Sequence, residues 1–236
     1  MKRIGIIGGM SWESTVTYYQ LMNREIQRRF GGYHSADIVL RSVDFAPIEE
    51  LQRAGNWRTA GAELAAVARE CVAAGAELLV LATNTMHLVF DAIEGAVTVP
   101  VIHIADATAE AARRRGLSTL GLLGTSFTME QPFYRERLET SGGLSVILPE
   151  AGDRRGIHRI IFDELVVGSV RAESREVYRG VMERLAQAGA EGIILGCTEI
   201  GLLVGPEEAP TRGAHRIPLL DTSELHALAA VEAALG

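Results

Sequence analysis

The sequence predicts an α/β protein made of two similar domains, each a parallel sheet with helices on both faces. Two observations carry this. Short apolar runs of strand length alternate with helix-period segments along the chain, and such alternation with short connections builds parallel sheets. The second half also repeats the first. Ile4-Gly-Ile-Ile-Gly8 matches Leu120-Gly-Leu-Leu-Gly124 at an offset of 116 residues, which also takes Tyr18 to Tyr134. Gly75-Ala-Glu77 matches Gly189-Ala-Glu191 at an offset of 114, and Val99-Pro100 matches Ile217-Pro218 at 118. Collinear landmarks of this kind indicate duplication.

The expected strands, in order, are Arg3–Ile7, Asp37–Val43, Leu78–Ala82, Val99–His103, Thr119–Leu123, Ser145–Leu148, Gly192–Leu195 and Ile217–Leu220. A helix from about Trp57 to Ala74 sets Leu64, Val67, Ala68, Cys71 and Ala74 on one apolar stripe. Cys71 is therefore expected to be a buried small hydrophobe. Gly205 to Gly213, rich in Pro, Gly and charge, reads as a surface connection where the chain crosses between domains. A last helix is expected from about Thr222 to Leu235. The domains are drawn at 1–97 plus 208–236, and at 98–207.

A net charge of −7 and the absence of a basic stripe with interleaved aromatics exclude a general nucleic-acid binder. Arg113-Arg114-Arg115 suits a solvated helix C-terminus. The longest apolar runs have strand length, so no membrane span is expected, and the N-terminal apolar run is too short for a signal-peptide core. The expected location is cytoplasmic. Two cysteines make no disulfide framework, and scattered histidines without paired cysteines give no metal-ligand pattern. Lys2 is the only lysine. A pyridoxal-phosphate enzyme needs an active-site lysine for its Schiff base, so no such cofactor is expected.

Gly5-Ile-Ile-Gly8-Gly9 lacks the G-x-G-x-x-G spacing and a following acidic partner, and reads as a tight strand-to-helix turn. Thr128 with Gln131 fits a capping box, while the hydroxyls and backbone N–H groups of Gly124-Thr-Ser-Phe-Thr128 also suit a carboxylate. His87 follows Thr83 by four residues and could approach the site, although an ordinary surface or helix-end position is expected for it. Thr83 and Cys197 occupy matching places, each ending a buried strand. In a duplicated fold such places can face each other across a pseudo-twofold axis. Side chains at the C-terminal edge of a parallel sheet reach the crevice where ligands bind. Local N–H groups and a helix dipole there are expected to favour a Cys197 thiolate.

Leu81-Ala-Thr-Asn-Thr-Met-His87 and Leu195-Gly-Cys-Thr-Glu-Ile200 resemble the two signature segments of the cofactor-independent aspartate/glutamate racemase family. Ile6-Ile-Gly-Gly-Met-Ser-Trp-Glu-Ser-Thr15 is similar to that family's N-terminal turn, so the resemblance spans the chain. It implies an active site in an interdomain cleft, a homodimer, a small amino-acid substrate, and no cofactor. It puts the two proton-transferring positions, usually both cysteine, on Thr83 and Cys197. Asn84, Thr85 and Thr198 fall where the family holds the α-amino and α-carboxylate groups, with Met10 and Gln52 as further contacts.

Threonine is a poor general base near neutral pH but can give a proton to a carbanion. The resemblance therefore implies unequal chemistry: Cys197 removes the α-proton of one enantiomer and Thr83 reprotonates the opposite face. A single-thiol decarboxylase on the same scaffold and a non-catalytic small-molecule binder are the alternatives. Arg41, Arg154 and Arg155 are candidates for a distal carboxylate, and their spacing selects none.

Overall fold

The computed structural model describes residues 1–140 and 142–236. The chain divides into two compact units, one of residues 1–104 with 223–236 and the other of 105–222. In the first unit come β1 (Ile4–Gly8), α1 (Trp12–Phe30), β2 (Ile38–Ser42), α2 (Phe45–Arg53), α3 (Trp57–Ala73), β3 (Leu78–Leu81), α4 (Phe90–Glu94) and β4 (Val101–Ile102). Helix α5 (Ile104–Arg114) leads into the second unit. There follow β5 (Thr119–Gly124), α6 (Ser126–Glu130), α7 (Pro132–Thr140), β6 (Ser145–Ile147), α8 (Ala151–Asp163), α9 (Ala172–Gln187), β7 (Gly192–Gly196) and α10 (Ile200–Leu203). A short hairpin, β8 (Thr211–Arg212) and β9 (His215–Arg216), precedes β10 (Leu219–Asp221), and α11 (Thr222–Leu235) ends the chain in the first unit.

Each unit holds one four-stranded parallel sheet, ordered β2-β1-β3-β4 in the first and β6-β5-β7-β10 in the second. The two orders are the same once β1, β2, β3 and β4 are matched to β5, β6, β7 and β10. The repeated Gly-Ala-Glu segments explain part of this likeness. Glu77 accepts a hydrogen bond from the Arg3 N–H at the start of β1 (2.8 Å). Glu191 accepts from the Ser118 and Thr119 N–H groups at the start of β5 (2.7 and 3.1 Å). The repeated prolines do equivalent work: Pro100 O accepts from Leu79 N, and Pro218 O from Ile193 N. The repeat in sequence is thus a repeat of strand registration.

Strand periodicity sorts the first unit's core into two layers, because successive side chains point to opposite sheet faces. Ile4, Ile6, Leu78 and Val80 pack with Tyr18, Met22 and Ile26 of α1 and with Ala227, Ala230 and Val231 of α11. Ile7, Leu79 and Leu81 pack with Leu64, Ala68 and Cys71 of α3 and with Ile48 of α2. Cys71 is fully buried here, a small apolar member of the stripe. Burying each such Leu or Ile contributes roughly 1.5–3 kcal/mol.

Three sequence expectations are corrected. The strand at 217–220, expected in the first domain with 208–236, is β10 and pairs with β7 in the second sheet, so that only α11 returns. Strand pairing, a long-range property, fixes that boundary. The 205–213 connection is not where the chain crosses between domains: it lies within the second unit, carries a short helical turn and the first strand of the β8–β9 hairpin, and the return falls at 222/223. Thr125, not Thr128, caps α6, its side chain accepting from Thr128 N. Among the described residues, no helix is long and apolar enough to cross a membrane.

Candidate active site

In the first unit, parallel registration brings the C-terminal ends of β1 and β3 level, with Ile7 paired to Leu81. The chain leaves β1 through Gly9, whose φ of +97° suits glycine; a Cβ there would lie 2.2 Å from Val43 O. Thr15 fixes this turn by accepting from Gly9 N and donating to Ser11 O (2.8 and 2.9 Å). Met10, two residues past β1, is buried in the same apolar cluster as Leu81 and Met86. Gln52, buried on α2, donates to the Met86 sulfur at 3.0 Å.

Thr83, Asn84 and Thr85 follow β3 and are all buried. The Thr83 backbone is held at both ends: its N–H bonds Leu81 O, and its carbonyl accepts from His87 Nδ1 at 2.7 Å. Because that carbonyl can only accept, His87 carries its proton on Nδ1, and Nε2 accepts from Ile104 N (3.2 Å). The imidazole is therefore neutral. His87 is 2% exposed rather than at the surface, and it braces the turn that carries Thr83.

In the second unit, Gly124 and Gly196 are register partners at the ends of β5 and β7. A Cβ on either would come within 2.8 Å of the other strand's carbonyl, so two glycines let the strand ends close up. Cys197 and Thr198 come directly after and are buried. Cys197 donates its S–H to Glu199 Oε2 at 2.9 Å, and Thr198 donates its hydroxyl to the same oxygen at 2.9 Å. Burial first, then the Glu199 charge and this hydrogen bond, hold the Cys197 thiol well above its ordinary pKa. The N–H groups of Glu199 and Thr198 pull the other way and are outweighed. The expected thiolate is thus a resting thiol. The helix that follows, α10, is a single turn and offers little dipole.

A buried thiol bonded to a carboxylate can give its proton to Glu199 and then take another. The family description "Asp/Glu/Hydantoin racemase" matches residues 7–230. The chain belongs to this family. A Yersinia pestis protein, solved as a candidate Asp/Glu racemase, is 48% identical over the whole of both chains, with a TM-score of 0.91. A Pyrococcus horikoshii aspartate racemase homologue is 34% identical over both whole chains, with a TM-score of 0.84. An uncharacterised Pectobacterium carotovorum protein is 32% identical over 107 residues, 45% of this chain and 69% of its own. Glutamate racemase from Francisella tularensis, 15% identical over 98% of this chain and 80% of its own with a TM-score of 0.66, shares the fold.

In this racemase-family protein the first unit brings Met10, Gln52, Thr83, Asn84 and Thr85 to one sheet edge, and the second brings Cys197 and Thr198 to the matching edge of its own sheet. The arginine candidates are engaged elsewhere: Arg41 pairs with Glu70, and Arg154 with Glu130. Arg155 is exposed. Sequence reasoning missed Glu199, which accepts from both Cys197 and Thr198, as a candidate site residue. The available signal was a carboxylate two positions after the cysteine in an otherwise apolar stretch.

Proposed function

We propose that this protein is a cofactor-independent racemase of aspartate, glutamate or a close relative. The observation that carries the reading is the buried Cys197 thiol donating to Glu199 at the end of a parallel strand. The name of the Pyrococcus relative as an aspartate racemase homologue supports the substrate class, and Lys2 as the only lysine leaves no residue suited to a pyridoxal Schiff base.

In this mechanism, Glu199 accepts the Cys197 proton once substrate is bound, and the sulfur removes the α-proton from one face. Thr83 donates its hydroxyl proton to the carbanion from the other face and is reprotonated from solvent while Glu199 releases its proton. Asn84, Thr85 and Thr198 hold the α-amino and α-carboxylate groups, with Met10 and Gln52 shaping the surroundings. Because a threonine alkoxide is hard to reach near neutral pH, the two half-reactions are chemically unequal, while kcat/KM stays equal from both enantiomers, as an equilibrium constant of one requires.

The test is incubation of each enantiomer of aspartate and glutamate in deuterated water. α-Deuterium in both enantiomers of one amino acid, lost in Cys197→Ser, is the expected result. Exchange without inversion points to a single-thiol enzyme. Absence of exchange with every amino acid tried would make the chain a binding protein.

A further inference from the structure

We propose that the outward face of α1 is the surface on which two copies of this chain pair, helix against antiparallel helix, about a twofold axis.

Trp12, Val16, Tyr19, Asn23 and Phe30 follow one another at spacings of four, three, four and seven residues. That is the seam of a helix that packs on another helix. The domain does not use it: α1 buries Tyr18, Met22 and Ile26 on its inner side, against β1, β3 and α11. The internal repeat shows that the fold does not require an apolar outer face. At the 116-residue offset, buried Tyr18 and Met22 map onto buried Tyr134 and Leu138 of α7, while Val16, Tyr19 and Asn23 map onto Pro132, Arg135 and Glu139. The outer face of α7 is thus an ordinary solvated one, with Arg135 paired to Glu139. Helix α1 also runs beyond the place where α7 ends, which adds Phe30, and the turn through Gly31 and Gly32 adds Tyr33.

The exposed area matches a dimer. Trp12 is 64% exposed, Tyr19 50%, Phe30 54% and Tyr33 107%. At about 200 Å² per aromatic side chain, these four offer about 550 Å² per copy, so a symmetric contact covers about 1,100 Å² before Val16 and the polar rim are counted. Specific interfaces begin at about this size, and a monomer seldom leaves so large an apolar face in water.

Charge identifies the occupant as a second copy. Glu13 and Arg24 lie on one flank of the seam, eleven residues apart. Glu13 Oε2 is buried without a hydrogen-bond partner. Arg24 lines a groove of about 310 Å³ and, among the described residues, makes no ion pair, whereas Arg28 and Arg29 are held by Glu25. In an antiparallel pair the same flank of each helix faces itself. A pairing centred near residue 18 therefore sets Glu13 of each copy beside Arg24 of the other. The same centre brings Val16 to Tyr19, and Trp12 to Asn23 at the groove that Tyr19, Asn23 and Arg24 line. One surface carries both the aromatic anchor and the groove for it, as an isologous contact needs.

Sedimentation equilibrium of the full chain tests this. A dimer with a Kd of about 1 µM or less is expected. Tyr19→Arg gives α1 the residue that α7 carries, and it should raise Kd about 1,000-fold, because symmetry applies the change twice. Circular dichroism melting checks that the variant is folded. Glu13→Arg and Arg24→Glu should each weaken the dimer about 100-fold, and the two together should restore it to within about tenfold of wild type. A wild-type chain that is monomeric at about 100 µM overturns the proposal. So does a folded Tyr19→Arg variant as dimeric as wild type. Should that variant fail to fold, the charge exchange still decides: single variants that dimerise normally, or a double variant no tighter than the singles, overturn the pairing and the proposal with it.

Discussion

Glu199→Gln separates two roles that a carboxylate beside a thiol can play. The Cys197 sulfur lies 2.9 Å from Glu199 Oε2. Two unit charges at that separation, in an effective dielectric of about 20, repel by about 6 kcal/mol. Spreading of the carboxylate charge and side-chain relaxation reduce this, and about a third of it, roughly 2 kcal/mol, raises the thiolate fraction about 30-fold once the charge is removed. A more acidic thiol is intrinsically less nucleophilic, with a Brønsted coefficient near 0.5, so the net gain in alkylation at pH 7 is about fivefold. Racemisation should move the other way. If Glu199 must take the thiol proton, its loss lowers kcat by about 10²–10⁴, the usual contribution of general acid–base catalysis. The assay pairs iodoacetamide labelling of Cys197 with polarimetry on L- and D-aspartate. A Gln variant that racemises at the wild-type rate, or that alkylates more slowly than wild type, refutes the reasoning.

Thr83→Ala should lower turnover at least 100-fold, while Thr83→Cys retains activity, measured as kcat from each enantiomer. Gly9→Ala forces a Cβ to within 2.2 Å of Val43 O at a φ of +97°. It should destabilise the fold by about 3 kcal/mol or more in urea denaturation. His158 accepts from Ser126 N through Nδ1 and so is needed neutral. Burial lowers its pKa below the ordinary 6.5, against the raising effect of Glu130 and Asp163. A folded pKa below the unfolded one gives stability that is present above about pH 6.5 and lost as the pH falls through the folded value. His158→Gln should therefore flatten the acid side of the stability–pH curve.

Much of the fold was legible because its signals are local. Apolar runs of strand length located each strand of the two main sheets to within a few residues, and the Gly-Ala-Glu repeat proved to be a registration device. The hairpin of β8 and β9 was missed because two-residue strands carry no periodicity. In the site, Thr83 and Cys197 were readable as strand ends in matching places. Glu199 was not, because its effect depends on a side chain folding back two residues. The helix-end place of His87 was legible but its burial was not, because nothing in its neighbours reveals that a backbone carbonyl and Ile104 N will occupy both ring nitrogens.

The sequence by itself determined the α/β class, the duplication, and the matching places of Thr83 and Cys197 at two strand ends, since these follow from periodicity and repetition along the chain. Tertiary structure decided which sheet receives β10, the protonation of Cys197, and the burial of His87. Each of these depends on distances and burial between residues far apart or on opposite elements. Burial reverses the sign of an electrostatic argument: the same N–H groups that favour a thiolate in the sequence reading are overruled by desolvation and one carboxylate oxygen.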